Sequence, residues 1–143
     1  MERKNKSTDD LMDSLTQSQD LQSFMNENDS NFRQDDTATY LQTLLKEKHL
    51  KKSQVIRDAM LNEVYGYQIF SGLKTPRRDK LLCLALAMKL TLEETQKMLR
   101  SCGFSPLYVR HRRDCVIIHG ILQKRSVMEV NSTLDEMGLP LFL

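Results

Sequence analysis

The residues best suited to specific chemistry lie in one short stretch, NEVYGYQIFSG, between Asn62 and Gly72. Four of its side chains are polar or aromatic: Glu63, Tyr65, Tyr67 and Gln68. On a helix that runs from Glu63 to Ser71, such side chains can reach the base edges of a DNA major groove. The stretch therefore favours recognition of a surface over catalysis.

The thiols and imidazoles form no catalytic or metal-binding motif. The three cysteines, Cys83, Cys102 and Cys115, are odd in number and not closely spaced, which argues against a disulfide framework or a zinc knuckle. The histidines and the five glycines are equally scattered, so neither a metal pair on one helical face nor a phosphate-cradling loop is expected. His119, in the apolar run VIIHGI, is expected in the core or at an interface. We predict no enzyme, no cofactor and no metal.

The elements that must position the recognition stretch are two short helices that meet at a tight corner between Lys51 and Thr75. Ser53 is the expected N-cap of the first helix, because its hydroxyl can accept from the amides of the opening turn. Leu61 and Asn62 form the predicted break. Gly72 closes the second helix, since glycine enters the left-handed conformation without steric cost.

Gly66 lies in the middle of the second helix, where glycine costs about 1 kcal/mol relative to alanine. Two helices that cross at a short corner need a small side chain where their backbones are nearest. We therefore expect a close approach of the two helices at Gly66.

In succession, SQVIRDAM, NEVYGYQIFSG and LKTPRRDKLLCLALAMKL resemble the helix-turn-helix of bacterial regulators of the phage-repressor and xenobiotic-response-element type. The resemblance covers roughly residues 40–103. It implies a five-helix bundle that binds double-stranded DNA, with residues 63–71 in the major groove. The chain departs from the family pattern at Met60 and Leu61, where a glycine is frequent, and at Gly66, where a branched apolar residue is usual.

The residues that this resemblance places at DNA lie on both motif helices and just beyond them. They are Lys52, Ser53, Gln54, Asn62, Glu63, Tyr65, Tyr67, Gln68 and Lys74. The lysines and the Ser53 end are expected at phosphates, and the side chains of the second helix at bases. A homodimer is expected as well, because one small motif reads too few base pairs and two-fold symmetry matches palindromic sites.

Charge is divided unevenly along the chain. Residues 1–36 hold four Lys/Arg against nine Asp/Glu, a net of −5, which leaves seventeen against ten, a net of +7, in residues 37–143. The basic body suits an anionic partner. The beginning of the chain has no apolar run and the longest such run, LLCLALAM, has eight residues, so no signal peptide and no membrane span are expected. A cytoplasmic location follows.

Residues 1–36 are rich in Ser, Asp, Asn and Gln, which predicts an acidic and mostly disordered tail with one short helix around Asp9–Leu15. Ser7, Thr8 and Ser30 lie beside acidic residues and are candidate acceptors for a kinase. A solvated tail with no specific role is the simpler interpretation.

From Thr37 onward the apolar residues recur at helical spacing, and the sequence predicts an all-α body. Residues 37–105 form the expected helix-turn-helix domain, and residues 106–143 form a further helix pair packed on it. That pair resembles residues 77–105 at a constant offset of 35, which suggests an internal duplication. The matched positions are Arg78 and Arg113, Asp79 and Asp114, Thr91 and Ser126, Glu94 and Glu129, Leu99 and Leu134, and Gly103 and Gly138. Thr91 and Glu94 are expected to form a capping box at a helix start, and Gly103 and Gly138 are expected to end helices in the left-handed conformation.

Two questions stay open at this level. Arg110, His111, Arg112 and Arg113 either neutralise phosphates or hold the fold together, since Arg77 and Arg78 occupy the corresponding places in the first pair. The alternative function is a non-catalytic adaptor that keeps the helix-turn-helix fold but binds a protein partner through the acidic tail or the apolar end LPLFL. The absence of arginine from the stretch 63–71 favours that alternative.

Overall fold

The computed structural model describes residues 6–32 and 36–142, and every regular element within them is helical, as the sequence predicts. These residues form two compact units, 6–32 and 36–142. The first unit contains α1 (Thr8–Gln17), α2 (Leu21–Glu27) and a 3-10 turn (Asp29–Asn31). The second contains α3 (Thr37–Glu47), α4 (Lys52–Asp58), α5 (Glu63–Ser71), α6 (Arg78–Ala87), α7 (Leu92–Ser101), α8 (Arg112–Leu122) and α9 (Val127–Glu136).

The first unit is more helical than the mostly disordered tail that the sequence predicts. Ser7 and Asp20 cap α1 and α2, and each side chain accepts a hydrogen bond from an amide of the following turn. Such caps satisfy amide donors that a short helix would otherwise leave without partners. Phe24 is buried, and its ring meets that of Phe32 edge to face at 6.4 Å. Residues 1–5 and 33–35 of the predicted tail lie outside the described part of the chain.

The second unit is built around α6. Each residue from Leu81 to Leu86 is buried, and α6 packs against α4, α7, α8 and α9. Met88, which follows α6 directly, is buried as well. A helix with apolar residues on all sides needs neighbours on all sides, and α6 has them.

The helix pairs α6–α7 and α8–α9, called the first and second helix pairs below, have the same local signals 35 residues apart. Both α7 and α9 begin with a capping box, formed by Thr91 with Glu94 and by Ser126 with Glu129. In each box, the side chain of either residue accepts a hydrogen bond from the backbone amide of the other. Both end at a glycine in the left-handed conformation, Gly103 and Gly138, as the sequence predicts.

The contacts between the two pairs are reciprocal. Arg78 pairs with Asp114 (Nη2–Oδ2 3.1 Å), and the matched residues Arg113 and Asp79 pair in turn (Nη1–Oδ1 2.8 Å). The Nζ of Lys89 donates to the Lys124 carbonyl at 3.0 Å, and the Nζ of Lys124 donates to the Lys89 carbonyl at 3.1 Å. When residue i meets j and the matched residues meet in the reverse sense, the two parts are related by a two-fold axis. The helix pairs therefore have internal two-fold pseudosymmetry.

The pseudosymmetry extends to contacts within each pair. Arg78 donates to the carbonyls of Ser105 and Pro106, and Arg113 donates to those of Pro140 and Leu141, again at an offset of 35. The side chains at the matched positions Gln96 and Asn131 accept from the amides of Leu107 and Phe142. Each arginine therefore binds the backbone of the segment that follows the second helix of its own pair.

Candidate nucleic-acid interface

The break between α4 and α5 comprises residues 59–62, so it contains the predicted pair Leu61 and Asn62 and begins two residues earlier, at Ala59. Met60 has a φ of 59°, which is the left-handed conformation that favours glycine. The Leu61 amide donates to the Ile56 carbonyl at 3.2 Å and closes the end of α4. Asn62 then caps α5, since its side-chain oxygen accepts from the Tyr65 amide at 3.2 Å. The sequence places Asn62 at DNA, and the structure gives it this capping bond as well.

Gly66 lies where α4 and α5 are closest. A Cβ atom at this position would lie 2.9 Å from Cγ1 of Ile56 and closer still to its Cγ2, so the Ile56 side chain would have to shift. The close approach that the sequence predicts at Gly66 is therefore present, and it fixes the angle at which α5 leaves α4.

The start of α4 corrects one prediction. The N-cap is Lys51 and not Ser53, because the Lys51 carbonyl already accepts from the Val55 amide and the helix begins at Lys52. Ser53 lies in the first turn, with its side chain exposed. Lys52 and Gln54 are exposed too; the Lys52 ammonium lies 5.8 Å from the centre of the Phe70 ring, and the Gln54 amide donates to the carboxylate of Asp58.

The outward side of α5 carries several of the predicted recognition residues. Glu63 and Tyr67 are exposed and Gln68 is half-buried. Between them lies Val64, with 65% of its surface exposed, which the sequence analysis did not single out. Its residue type alone did not distinguish Val64 from Ile69 and Phe70, which are apolar residues of the same helix and are buried.

A small cleft joins the outward side of α5 to α4. Its volume is about 190 Å³, and Ser53, Arg57, Glu63 and Tyr67 are among its lining residues. The tertiary structure thus brings together two of the predicted α5 residues with Ser53, and it adds Arg57, which the sequence analysis did not choose.

A second and larger cleft lies on the other side of α5. Its volume is about 490 Å³, and it is lined by Tyr65, Lys74, Thr75, Arg77, Arg78, Asp79 and Lys80. Tyr65 is therefore half-buried at a basic cleft instead of facing outward beside Tyr67. Residues two apart on a helix point to different sides, which separates the two tyrosines. Lys74 was predicted at DNA; Arg77 and Lys80 were missed, although the run PRRDK signals a cationic helix start.

The cations of this region divide into paired and exposed groups. Arg78 donates to both carboxylate oxygens of Asp114, and Arg113 donates to both of Asp79. These two arginines hold the helix pairs together, which answers the question left open by the sequence for Arg113. The exposed group includes Lys74 and Arg77, for which the described residues supply no ion-pair partner.

No cluster of three or more His, Cys, Asp or Glu side chains could hold a metal ion in residues 6–32 and 36–142. Burial raises the pKa of the Cys83 thiol to about 12, so this sulfur stays protonated at neutral pH. Across the same residues, none of the helices combines the length and apolar character that crossing a bilayer requires.

Comparisons of the chain with protein-family models, with curated proteins and with solved structures found no match. The function proposed below is therefore supported by the residues and their geometry alone.

Proposed function

We propose that this protein is a sequence-specific DNA-binding transcriptional regulator, in which α3–α7 form a helix-turn-helix bundle of the phage-repressor type. The observation that carries the proposal is the setting of α5: its polar and aromatic side is exposed, and a basic cleft lies beside it. A recognition helix requires this combination, because base edges are read by the helix while phosphates are held at its flanks.

The outward side of α5 supplies chemically suitable contacts to bases. Gln68 can bond an adenine through two hydrogen bonds, Glu63 can accept from a cytosine amino group, and Val64 can contact a thymine methyl group. Val64 adds an apolar contact to the polar set that the sequence favours. Tyr67, which is exposed beside Ser53 and Arg57, can donate to a base or a phosphate.

The basic cleft is suited to the DNA backbone. Lys74, Arg77 and Lys80 converge on it, and the start of α6 lies in the same place. A helix start adds amide donors and a partial positive charge to those side chains, which favours a phosphate. Lys52 and Ser53 at the start of α4 can hold a phosphate on the other side of α5.

The first experiment is a selection of the purified protein against random DNA duplexes, followed by binding measurements on the preferred site. Gln68→Ala should weaken binding to that site by about 1–3 kcal/mol and spare binding to unrelated duplexes, because it removes a base contact and no charge. Gln123→Ala, an exposed glutamine just after α8, is the matched control and should bind as the parent does.

Lys74→Ala should act differently from Gln68→Ala. The loss of a phosphate contact should weaken binding to all duplexes alike and reduce the slope of log affinity against log salt by about one unit. Lys97→Ala removes an exposed lysine from α7 and controls for the lost charge. If the parent shows no salt-dependent binding to duplexes, the proposal is wrong and the adaptor alternative takes its place.

A homodimer is part of the proposal, because two copies of the motif would match a palindromic site. The second helix pair has exposed apolar side chains that can serve its interface, namely Leu122 and Met128. The end of the chain is less suitable: Phe142 is buried under the Arg113 guanidinium, and Leu143 lies outside the described residues. Light scattering at micromolar concentration, with and without duplex, would reveal a monomer if this part is wrong.

A further inference from the structure

The second helix pair contains a groove between α8 and α9, called the outer groove here. Its volume is about 290 Å³, close to the lower end of the range for small-molecule sites. The lining is mainly apolar and comprises Cys115, Val116, His119, Gly120, Arg125, Val130, Thr133 and Met137. His119 is exposed here, and not in the core or at an interface with another described element as the sequence predicts.

The pseudosymmetry identifies the matching surface of the first helix pair, and that surface is covered. Val116, His119 and Gly120 correspond to Leu81, Leu84 and Ala85, all of which are buried. The cover includes α4, which packs against α6, whereas no described element packs against α8 to the same extent in the matching place. The outer groove is therefore the open counterpart of a surface that is closed in the first pair.

Several residues that line the outer groove differ from their matched residues in the first pair. Two of them are smaller and leave room, since Leu81 is matched by Val116 and Met98 by Thr133. Cationic or ionisable side chains replace leucine, since Leu84 is matched by His119 and Leu90 by Arg125. A helix that covered the groove as α4 covers α6 would not be accommodated, because it would bury the Arg125 guanidinium without an acidic partner.

Arg125 is placed to bind an anion inside the outer groove. It is half-buried, and its Nη1 donates to the Thr133 hydroxyl at 3.3 Å across the groove. No carboxylate lines the groove, and Arg125 forms no ion pair with any described residue. The charge of Arg125 helps to lower the pKa of Glu129, but that carboxylate accepts from the Ser126 amide in its capping box and forms no ion pair with Arg125. The guanidinium therefore has donors left for a ligand.

We propose that the outer groove binds a small organic anion with an apolar body, such as a short-chain or aromatic carboxylate. The carboxylate pairs with Arg125, and the apolar body lies against Val116, Val130 and Met137. The volume suits a molecule of this size, whereas a helix of about 10 Å diameter could insert only one or two side chains. The proposal is independent of DNA binding.

The test is calorimetric titration of the full chain with hexanoate and with benzoate, and with hexanol and benzyl alcohol as uncharged probes of the same shape. The anions should bind with dissociation constants on the order of 1 mM, as expected for ligands with so few atoms, and the alcohols should bind more weakly. Arg125→Gln should weaken binding of the anions about tenfold or more and leave binding of the alcohols unchanged. Lys124→Gln removes the neighbouring charge outside the groove and should have little effect.

Thr133→Met fills the groove with the residue found at the matched Met98, and it should abolish binding of all four probes. The rate at which Cys115 reacts with a thiol reagent, followed by peptide mass spectrometry, reports occupancy independently, and the anions should slow it in the parent but not in Thr133→Met. Retention of anion binding in a folded Thr133→Met variant would overturn the proposal. Equal affinity for anions and alcohols would also overturn it, as would the absence of anion binding at concentrations about ten times the expected dissociation constant. A protein dimer that Thr133→Met dissociates would show that a second copy of the chain occupies the groove instead, and would overturn it as well.

Discussion

The first and second helix pairs have the same capping boxes, the same left-handed glycines and reciprocal ion pairs, but their surroundings differ. In the first pair, α6 is enclosed by four helices, one of which is α4. In the second pair, the matching side of α8 is an open groove. The same capping boxes and glycine ends therefore occur in one pair that packs against α4 and in another pair whose matching side is exposed. The difference lies in a few side chains at matched positions.

The largest effect on stability is expected when the residues at one matched position, Leu84 and His119, are exchanged. Leu84→His should lower the free energy of unfolding by about 3–5 kcal/mol, because it removes apolar contacts and buries an imidazole in a fully enclosed site. His119→Leu should change it by no more than about 0.5 kcal/mol, since His119 is exposed. Urea unfolding of the two variants measures both values. Equal losses of unfolding free energy in the two variants would mean that the two matched surfaces are equally buried.

The reciprocal ion pairs should contribute unequally. Asp114 has 9% of its side chain exposed and also accepts from the Tyr108 amide, whereas Asp79 has 35% exposed. Asp114→Asn should therefore cost about 2–3 kcal/mol and Asp79→Asn about 0.5–1 kcal/mol. Asp135→Asn, an exposed aspartate on α9, is the control in the same unfolding measurement. A larger cost for Asp79→Asn than for Asp114→Asn would contradict the assignment of the buried pair.

The two capping boxes should differ in their dependence on pH. A hydrogen bond from Lys48, with one from the Thr91 amide, lowers the pKa of Glu94 below its ordinary 4.5, and the Ser126 amide lowers the pKa of Glu129. A carboxylate with a lowered pKa in the folded state stabilises the protein above pH 4.5, and this stabilisation is lost as the pH falls through the lowered pKa.

The stability difference between the parent and Glu94→Gln should be about 1 kcal/mol at pH 7 and should shrink below pH 4.5. Glu129→Gln should show the same trend with a smaller difference, because Glu129 has no counterpart of the Lys48 ion pair (2.7 Å) among the described residues. Unfolding curves between pH 3 and pH 7 measure both differences. A difference for Glu94→Gln that grows as the pH falls would have the wrong sign.

The smallest effects are expected where the pairs are most alike. Lys89→Met and Lys124→Met each remove one of the two reciprocal lysine–carbonyl bonds, and both lysines are exposed. Each variant should lose no more than about 0.5 kcal/mol, and the two losses should be equal within error. A loss above about 1 kcal/mol in one variant alone would contradict the equivalence of the two lysine–carbonyl bonds.

Local features of the chain could be predicted because they depend on neighbouring residues. The helix of residues 63–71, the capping box at Thr91 and the glycine ends at Gly72 and Gly103 agree with the structure. The prediction of Ser53 as an N-cap was wrong, because Ser53 lies in the first turn of α4. The residue type alone does not distinguish a serine in the first turn from a serine at the cap. In the first unit, Ser7 and Asp20 were capping signals that a low apolar content obscured.

The sequence by itself determined the all-α class, the close approach of α4 and α5 at Gly66 and the repeated helix pair, since periodicity and spacing express these properties directly. Only the tertiary structure decided which faces are covered, that Arg78 bonds Asp114, and that Tyr65 and Tyr67 lie at different clefts. Each of these depends on the packing of segments far apart in the chain. A side chain's type gives its possible partners, but the fold decides which of them comes within hydrogen-bond distance.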